Sequence, residues 1–224
     1  MQRFEEKENV FAEAVSLHWE KMRGDRVEAI TALLGAADLK GPHVEIGTAA
    51  GKTLKAMMQR YHEESRPPFV VVDPFTYFPG QLDHVRENLR NAGLDPETVD
   101  FRVGTSWALV RDALSKNESY SFIFIDGVHS YLEVTQDLRW TRMLEPGGYV
   151  CIHDYKPKFP GVKWAVRWFL RRNRNYRMIG LAGSLAVLHK SDVSAMRESG
   201  PIDLAAACVA RMAARLRNLL RVIR

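Results

Sequence analysis

Apolar residues along the chain fall into short uninterrupted runs that alternate with segments of helical periodicity. The runs "PFVVVD", "YSFIFID" and "PGGYVCIHD" are typical of strands that are buried on both faces of a parallel sheet. Between the runs, segments such as "SYLEVTQDLRWTRML" and "PGVKWAVRWFLRR" repeat apolar residues every three or four positions, which predicts amphipathic helices. The last two runs, "YRMIGLAG" and "SLAVLHK", are joined by a glycine-containing turn and predict an antiparallel hairpin.

Strands that alternate with helices predict an α/β fold, here a Rossmann-like, doubly wound, mostly parallel seven-stranded sheet with a C-terminal antiparallel hairpin. We expect one domain with N-terminal helices over 1–40, a core over 41–190 and a C-terminal helix over 191–224. The first segment contains two helical patterns, at Phe4–Met22 and Arg26–Ala37. In such sheets ligands bind beyond the carboxyl ends of the strands, so polar residues at those ends are the candidates for function.

Composition is that of an ordinary soluble globular protein, with 46% hydrophobic and 26% charged residues. No apolar run is long enough to span a bilayer, the N-terminus is too acidic for a signal peptide, and the two cysteines form no disulfide framework. We therefore expect a cytoplasmic protein. The net charge of +5 comes mostly from the tail Asp203–Arg224, so the sequence does not indicate a nucleic-acid-binding surface.

The segment "VEIGTAAGKT", residues 44–53, permits two interpretations. "GKT" ends the phosphate-binding loop of nucleoside triphosphatases, but that loop needs four residues before "GKT", and only three separate Gly47 from Gly51. Alternatively, the two glycines let the backbone approach S-adenosylmethionine, while Glu45 accepts from its ammonium group or orders the loop. Asp73, at the end of the next strand, would then accept from the ribose hydroxyls. In the plainer interpretation Glu45 is a solvated turn residue and Asp73 caps a helix.

The sequence resembles the class I S-adenosylmethionine-dependent methyltransferases, and more closely the small O-methyltransferases of the macrocin and mycinamicin sugar-methylating type (methyltransferase family 24). The resemblance covers about 41–190 and is carried by "VEIGTAAGKTL", "VVVDPF", "VGTSWALV", "FIFIDGVHSYLEVTQDL" and "LEPGGYVCIHDY". It implies a cofactor-binding set of Glu45, Gly47, Thr48, Gly51, Thr53, Asp73, Ser106, Trp107 and Asp126.

Two positions of this set raise questions of their own. Ala49 stands where such loops often have glycine, and we expect alanine to keep ordinary backbone angles there, so that the turn differs slightly. In the resembled enzymes the residues after the third strand lie along the adenine, and Thr105, Ser106 and Trp107 match that place. Core packing is the alternative for Trp107.

The tips of the fourth and fifth strands carry the candidate chemistry. A hydroxyl needs a base, or a cation that lowers its pKa, before it can attack a sulfonium methyl group. The resemblance implies that His129 is the general base beside Asp126, whereas the plainer interpretation is that His129 caps the following helix. It also implies metal ligands at Asp126 and at the pair His153–Asp154, where the family has two acids. We expect a divalent cation, Mg²⁺ or Mn²⁺; alternatively His153 is not a ligand and the metal is weak or absent.

The predicted function is O-methylation of a small-molecule hydroxyl, on a sugar or a glycosylated metabolite. The alternatives are a P-loop nucleotide-binding protein and a non-catalytic adenosylmethionine-binding module, although a module needs no base. Aromatic residues flank the tips and form either the acceptor pocket or the core beneath a helix: Tyr131, Tyr155, Phe159 and Trp164. The tail predicts a cationic amphipathic helix that either lies on an anionic membrane surface or, as we favour, packs on the domain or in a homo-oligomer contact.

Overall fold

A computed structural model describes residues 26–191 of the chain. Its strands are β1 (His43–Ile46), β2 (Phe69–Asp73), β3 (Val99–Val103), β4 (Tyr120–Ile125), β5 (Leu144–Ile152), β6 (Tyr176–Ala182) and β7 (Leu185–Lys190). Its α-helices are α1 (Arg26–Ala37), α2 (Lys52–Gln59), α3 (Gln81–Arg90), α4 (Ser106–Ser115), α5 (Tyr131–Asp137) and α6 (Pro160–Arg172). Short 3₁₀ helices lie at Glu63–Ser65, Pro96–Thr98 and Leu138–Met143. The predicted helix at Phe4–Met22 and the predicted basic helix lie outside the described residues.

The strands form one seven-stranded sheet in the order β3-β2-β1-β4-β5-β7-β6. Strands β1 to β5 are parallel, and β7 runs antiparallel to both β5 and β6. This confirms the predicted Rossmann-like sheet with its C-terminal hairpin. The chain builds outward from β1 to β3 and then returns to place β4 on the other side of β1. The strand order therefore reverses between β1 and β4, which is where ligands bind in this architecture.

Alternate residues of the central strands pack into two cores, one on each face of the sheet. Val70, Val72, Ile123 and Ile125 face one core, together with buried residues of α4, α5 and α6. The residues between them in the strands face the other core, with buried residues of α1, α2 and α3. Both faces of the sheet are covered, which explains why its strands are continuous apolar runs.

One predicted helix differs in form from the expectation. The segment "SYLEVTQDLRWTRML" is α-helical only to Asp137 and then tightens into the 3₁₀ turn Leu138–Met143. Within that turn the Thr141 hydroxyl donates to the Leu138 carbonyl at 2.6 Å, and the buried Trp140 indole donates to the Ser106 carbonyl at 3.2 Å. Hydrogen bonds from side chains to backbone carbonyls compete with helix continuation, and here they anchor the turn beneath α4.

None of the helices within residues 26–191 is both long enough and apolar enough to cross a bilayer.

Candidate active site

The loop between β1 and α2 is a tight turn built on left-handed backbone angles. Gly47, Ala49 and Gly51 have φ values of +83°, +47° and +77°, and the Gly51 amide donates to the Thr48 carbonyl at 2.8 Å. The expectation that Ala49 keeps ordinary backbone angles is wrong, because the turn imposes the left-handed region on it. A β-carbon at Gly47 would lie 2.6 Å from the carbonyl oxygen of Asp126, so this loop and the tip of β4 are in direct contact.

Glu45 is buried beneath this loop, so its interpretation as a solvated turn residue is wrong. Its carboxylate accepts a hydrogen bond of 2.9 Å from the Thr48 hydroxyl. Burial raises the pKa of Glu45 to about 8, against the lowering effect of that hydrogen bond. Glu45 is therefore protonated at neutral pH in the free protein. A cationic group of a ligand in the loop would favour the ionised form of this carboxyl group.

Asp73 ties the ends of two strands together. One carboxylate oxygen accepts from the Thr48 amide at 2.9 Å, and the other accepts from the Phe75 amide at 2.6 Å. The next α-helix, α3, begins at Gln81 after Gly80, so the interpretation of Asp73 as a helix cap is wrong. The Gln81 side-chain amide donates a third hydrogen bond to Asp73, at 3.4 Å. A carboxylate can accept about four hydrogen bonds, which leaves Asp73 capacity for about one donor of a ligand.

The start of α4 presents one buried and one exposed side chain. Ser106 is buried and its hydroxyl donates to the buried carboxyl group of Asp137. Trp107 is 60% exposed, so the alternative of core packing is wrong for this residue. The exposed indole at the end of β3 is free to lie along a flat ligand ring. Thr53, in the first turn of α2, is buried.

The tips of β4 and β5 bring four ionisable side chains together. His153 Nδ1 lies 2.8 Å from Asp126 Oδ1, and His129 Nε2 lies 3.0 Å from Asp154 Oδ2 and 3.8 Å from Asp126 Oδ1. Ser130, and not His129, caps α5, because its hydroxyl oxygen accepts from the Glu133 amide at 3.4 Å. The helix-capping interpretation of His129 is therefore wrong, and its imidazole belongs to the polar cluster.

Two cations complete the cluster, and sequence reasoning missed both. Arg26 Nη2 lies 3.4 Å from Asp126 Oδ2, and Arg26 Nη1 lies within 3.5 Å of both ring nitrogens of His153. Lys156 Nζ lies 2.6 Å from Asp154 Oδ1. Burial alone would raise the pKa of Asp154, but Lys156 and the neighbouring imidazoles hold it below the ordinary value. Asp154 has a φ of +58°, a conformation that aspartate tolerates better than most residues.

The sequence offered different signals for these missed residues. Lys156 follows Asp154 by two positions, so a cation beside the two acids could have been proposed from spacing. Arg26 comes from α1, far along the chain, and no local pattern links it to the strand tips. The same holds for Ser184 in the β6–β7 turn, whose hydroxyl lies 3.2 Å from His153 Nε2.

The cluster fits a divalent cation with a changed ligand set. The ligand atoms of Asp126, His129 and His153 all lie within 4.8 Å of one another. Asp154, which was predicted as a ligand, faces His129 and Lys156 instead. One carboxylate with two imidazoles suits Mn²⁺, Fe²⁺ or Zn²⁺ better than Mg²⁺. The Arg26 guanidinium contacts the second oxygen of Asp126, so a cation would bind there in competition with it.

Comparison with known families supports the cofactor chemistry of this site. A family described as "Methyltransferase domain", methyltransferase family 24, matches residues 44–155, which contain the glycine loop, Asp73 and both strand tips. The chain belongs to this family. It is therefore an S-adenosylmethionine-dependent methyltransferase, and a nucleoside-triphosphate loop at 44–53 is excluded. The comparison with curated protein sequences gave no match.

Three solved structures of similar fold are described as O-methyltransferases. The calicheamicin-biosynthesis enzyme CalS11, described as a TDP-rhamnose 3'-O-methyltransferase, is 20% identical with a TM-score of 0.61, over 74% of this chain and 79% of CalS11. The O-methyltransferase NovP is 20% identical with a TM-score of 0.60, over 75% and 80% of the two chains. An O-methyltransferase from Bacillus cereus in complex with SAH is 15% identical with a TM-score of 0.58, over 82% and 91%. At these identities the likeness shows the shared fold.

Proposed function

We propose that this methyltransferase transfers the methyl group of S-adenosylmethionine to a hydroxyl of a small molecule, namely a sugar or a glycosylated metabolite. The observation that carries the proposal is the contact between the cofactor loop and a base cluster at the switch point of the sheet. Gly47 touches the backbone of Asp126, and His129 lies three residues further along the chain. CalS11, whose fold is similar, is described as methylating a sugar hydroxyl, which supports this class of acceptor.

The cofactor loop binds and orients S-adenosylmethionine. The glycines at 47 and 51 let the cofactor approach the backbone, Glu45 faces its ammonium group, and Asp73 accepts from a ribose hydroxyl. Trp107 packs along the adenine, since its indole is exposed at the end of β3. These contacts hold the methyl group at the β1–β4 switch point. Positioning of two reactants in line is a large part of what catalysis of such a displacement requires.

His129 removes the proton from the acceptor hydroxyl as the methyl group is transferred. Its Nε2 is turned toward the carboxylates of Asp154 and Asp126, at 3.0 and 3.8 Å, so Nδ1 is the atom that takes the proton. The imidazolium that forms is then stabilised by two negative charges. Histidine side chains titrate near neutral pH, which suits them to this proton transfer.

A divalent cation is the second part of the proposal. Asp126 and His153, with a rearranged Asp154, would hold it, which leaves His129 available as the base. The cation would lower the pKa of a bound hydroxyl. Of the two cations expected from the sequence, Mg²⁺ and Mn²⁺, Mn²⁺ fits an imidazole donor better. Titration of the protein with Mn²⁺, followed by electron paramagnetic resonance, tests the site without any turnover. No saturable binding to the wild-type protein would remove the cation from the proposal.

Formation of S-adenosylhomocysteine in a panel of sugar-containing acceptors tests the reaction itself. We expect turnover by the wild-type enzyme and a loss of roughly 10²- to 10⁴-fold in kcat for His129→Ala, with S-adenosylhomocysteine affinity unchanged. His84→Ala, outside the cluster, is the matched control and should keep full activity. If His129→Ala turned over like the wild type, the base assignment would be wrong. Cofactor binding without methylation of any hydroxyl in the panel would contradict the proposed O-methylation.

A further inference from the structure

Positive charge is concentrated on one part of the chain, directly after the β5 tip. Between Tyr155 and Ser191 the sequence contains no aspartate or glutamate. The same segment contains these lysines and arginines: Lys156, Lys158, Lys163, Arg167, Arg171, Arg172, Arg174, Arg177 and Lys190. The chain before its tail is nearly neutral overall, but this segment beside the candidate active site is strongly basic.

Three of these lysines lie against aromatic rings, Phe159 and Tyr155, that follow the tip of β5. The ammonium groups of Lys156 and Lys158 lie 5.2 and 5.5 Å from the centre of the Phe159 ring, and that of Lys163 lies 5.6 Å from the centre of the Tyr155 ring. Contacts of this kind stabilise a lysine by roughly 0.5–1 kcal/mol at exposed sites. The rings therefore favour these positions of the three ammonium groups over other rotamers. We call these three side chains the lysine rim.

The lysine rim is close to the base. The Phe159 ring centre lies 4.6 Å from the His129 ring centre, so the Lys158 ammonium is no further than about 10 Å from the imidazole. That is roughly the span of a sugar ring with an attached phosphoryl group. An acceptor that places a hydroxyl at His129 can therefore reach Lys156 and Lys158 with a neighbouring group.

Most of the charge at the strand tips is already balanced, but the outer part of the lysine rim is not. Asp126 pairs with Arg26, and Asp154 pairs with Lys156. Across residues 26–191, neither Lys158 nor Lys163 has a carboxylate within salt-bridge distance. Two ammonium groups that no carboxylate of residues 26–191 compensates attract an anion, and lysine is a common ligand of phosphate.

We propose that the methyl acceptor carries a phosphoryl group, bound by Lys158 and Lys163 with help from Lys156, while its hydroxyl lies at His129. This inference rests on the proposed O-methyltransferase function and narrows its substrate class to phosphorylated or diphosphate-linked sugars. The phosphoryl group belongs either to a soluble nucleotide sugar or to a lipid-linked sugar, and both present the same anion to the lysine rim.

Direct binding tests the lysine rim without any methyl transfer. Calorimetric titration of uridine diphosphate into the enzyme saturated with S-adenosylhomocysteine should give saturable binding. The double variant Lys158→Gln/Lys163→Gln should weaken it tenfold or more. Arg174→Gln is the matched control, because it removes one exposed charge of the same acid-free segment beyond the end of α6, and we expect unchanged binding. Equal affinities for the double variant and the wild type would overturn the proposal.

Turnover with matched acceptors separates this proposal from the proposed function. A free hexose, its 1-phosphate and its uridine diphosphate derivative are compared, and we expect KM to fall in that order. In the double variant KM for the charged acceptors should rise tenfold or more with kcat little changed, which a merely misfolded protein would not show. If all three hexoses were methylated with equal KM, the phosphoryl group would be ruled out while the O-methyltransferase function stood.

Vesicles that contain a prenyl-phosphate sugar identify the source of the phosphoryl group. Sedimentation of the wild type with these vesicles, reduced by the double variant and not by Arg174→Gln, would assign it to a lipid. Binding of uridine diphosphate without such sedimentation would assign it to a soluble nucleotide sugar. If neither probe bound in a way that depended on Lys158 and Lys163, the proposal would be refuted.

Discussion

Binding of the cofactor should release a proton from Glu45. In the free protein, burial raises the pKa of this carboxyl group from 4.5 to about 8, so at pH 7 about nine tenths of the molecules carry the proton. The ammonium group of S-adenosylmethionine or S-adenosylhomocysteine favours the ionised carboxylate. We therefore expect close to one proton to leave the protein when either ligand binds at pH 7.

The sign of the pH dependence follows from this shift. Because the pKa of Glu45 is raised on folding, the free protein loses stability as the pH rises from about 4.5 to about 8. The bound state holds an ionised Glu45 and avoids that loss. Cofactor affinity should therefore rise with pH below 8, by up to about tenfold per pH unit, or about 1.4 kcal/mol.

Calorimetry in buffers with different ionisation heats measures the proton directly. The observed binding enthalpy at pH 7 should change with the ionisation heat of the buffer, with a slope close to one proton released. Glu45→Gln keeps an oxygen that accepts from the Thr48 hydroxyl but cannot ionise, so its slope should be near zero. An equal binding enthalpy in all buffers for the wild-type protein would refute the role given to Glu45.

Three further substitutions test the loop and the cluster. Gly47→Ala places a β-carbon 2.6 Å from a carbonyl oxygen at a φ of +83°. We expect the free energy of unfolding, measured in urea, to fall by roughly 2–5 kcal/mol and cofactor binding to be lost. An unchanged urea midpoint would contradict the loop geometry. Ala49→Gly relieves about 1–2 kcal/mol of backbone strain in the folded state but favours the unfolded state by about 0.4–1 kcal/mol of chain entropy. We therefore expect a small gain in the free energy of unfolding. A clear loss would show that Ala49 is not strained. Arg26→Ala removes a cation beside Asp126 and should tighten Mn²⁺ binding several-fold by electron paramagnetic resonance; equal affinity would mean that Arg26 does not compete with the metal.

Most of the fold could be predicted from the sequence, because both faces of the sheet are buried and the strands are continuous apolar runs. The one altered helix, α5, ends early through two hydrogen bonds: Thr141 donates to Leu138 within the turn, and Trp140 donates to the distant Ser106 carbonyl. Neither hydrogen bond leaves a trace in apolar periodicity. The left-handed angle of Ala49 was also missed, since alanine gives no signal for it. In both cases the surroundings overrule the intrinsic preference of the residue.

The candidate site was only partly predictable. Residues that follow parallel strands meet at one edge of the sheet, so His129 and Asp126 could be placed together from the strand pattern alone. The side-chain directions could not be placed in this way. Asp154 follows the same strand as His153 but turns toward Lys156, and Arg26 enters from a helix more than a hundred residues earlier in the chain. Such contacts depend on how α1 and the β6–β7 turn pack against the sheet.

Calorimetric titration of S-adenosylhomocysteine and of ATP into the same protein sample distinguishes the two cofactors between which residues 44–53 must discriminate. Residues 44–53 should bind S-adenosylhomocysteine at one site per chain. ATP should neither bind nor compete, because the loop is one residue shorter than a triphosphate-binding loop. Saturable binding of ATP without binding of S-adenosylhomocysteine would contradict the cofactor assignment and everything proposed from it.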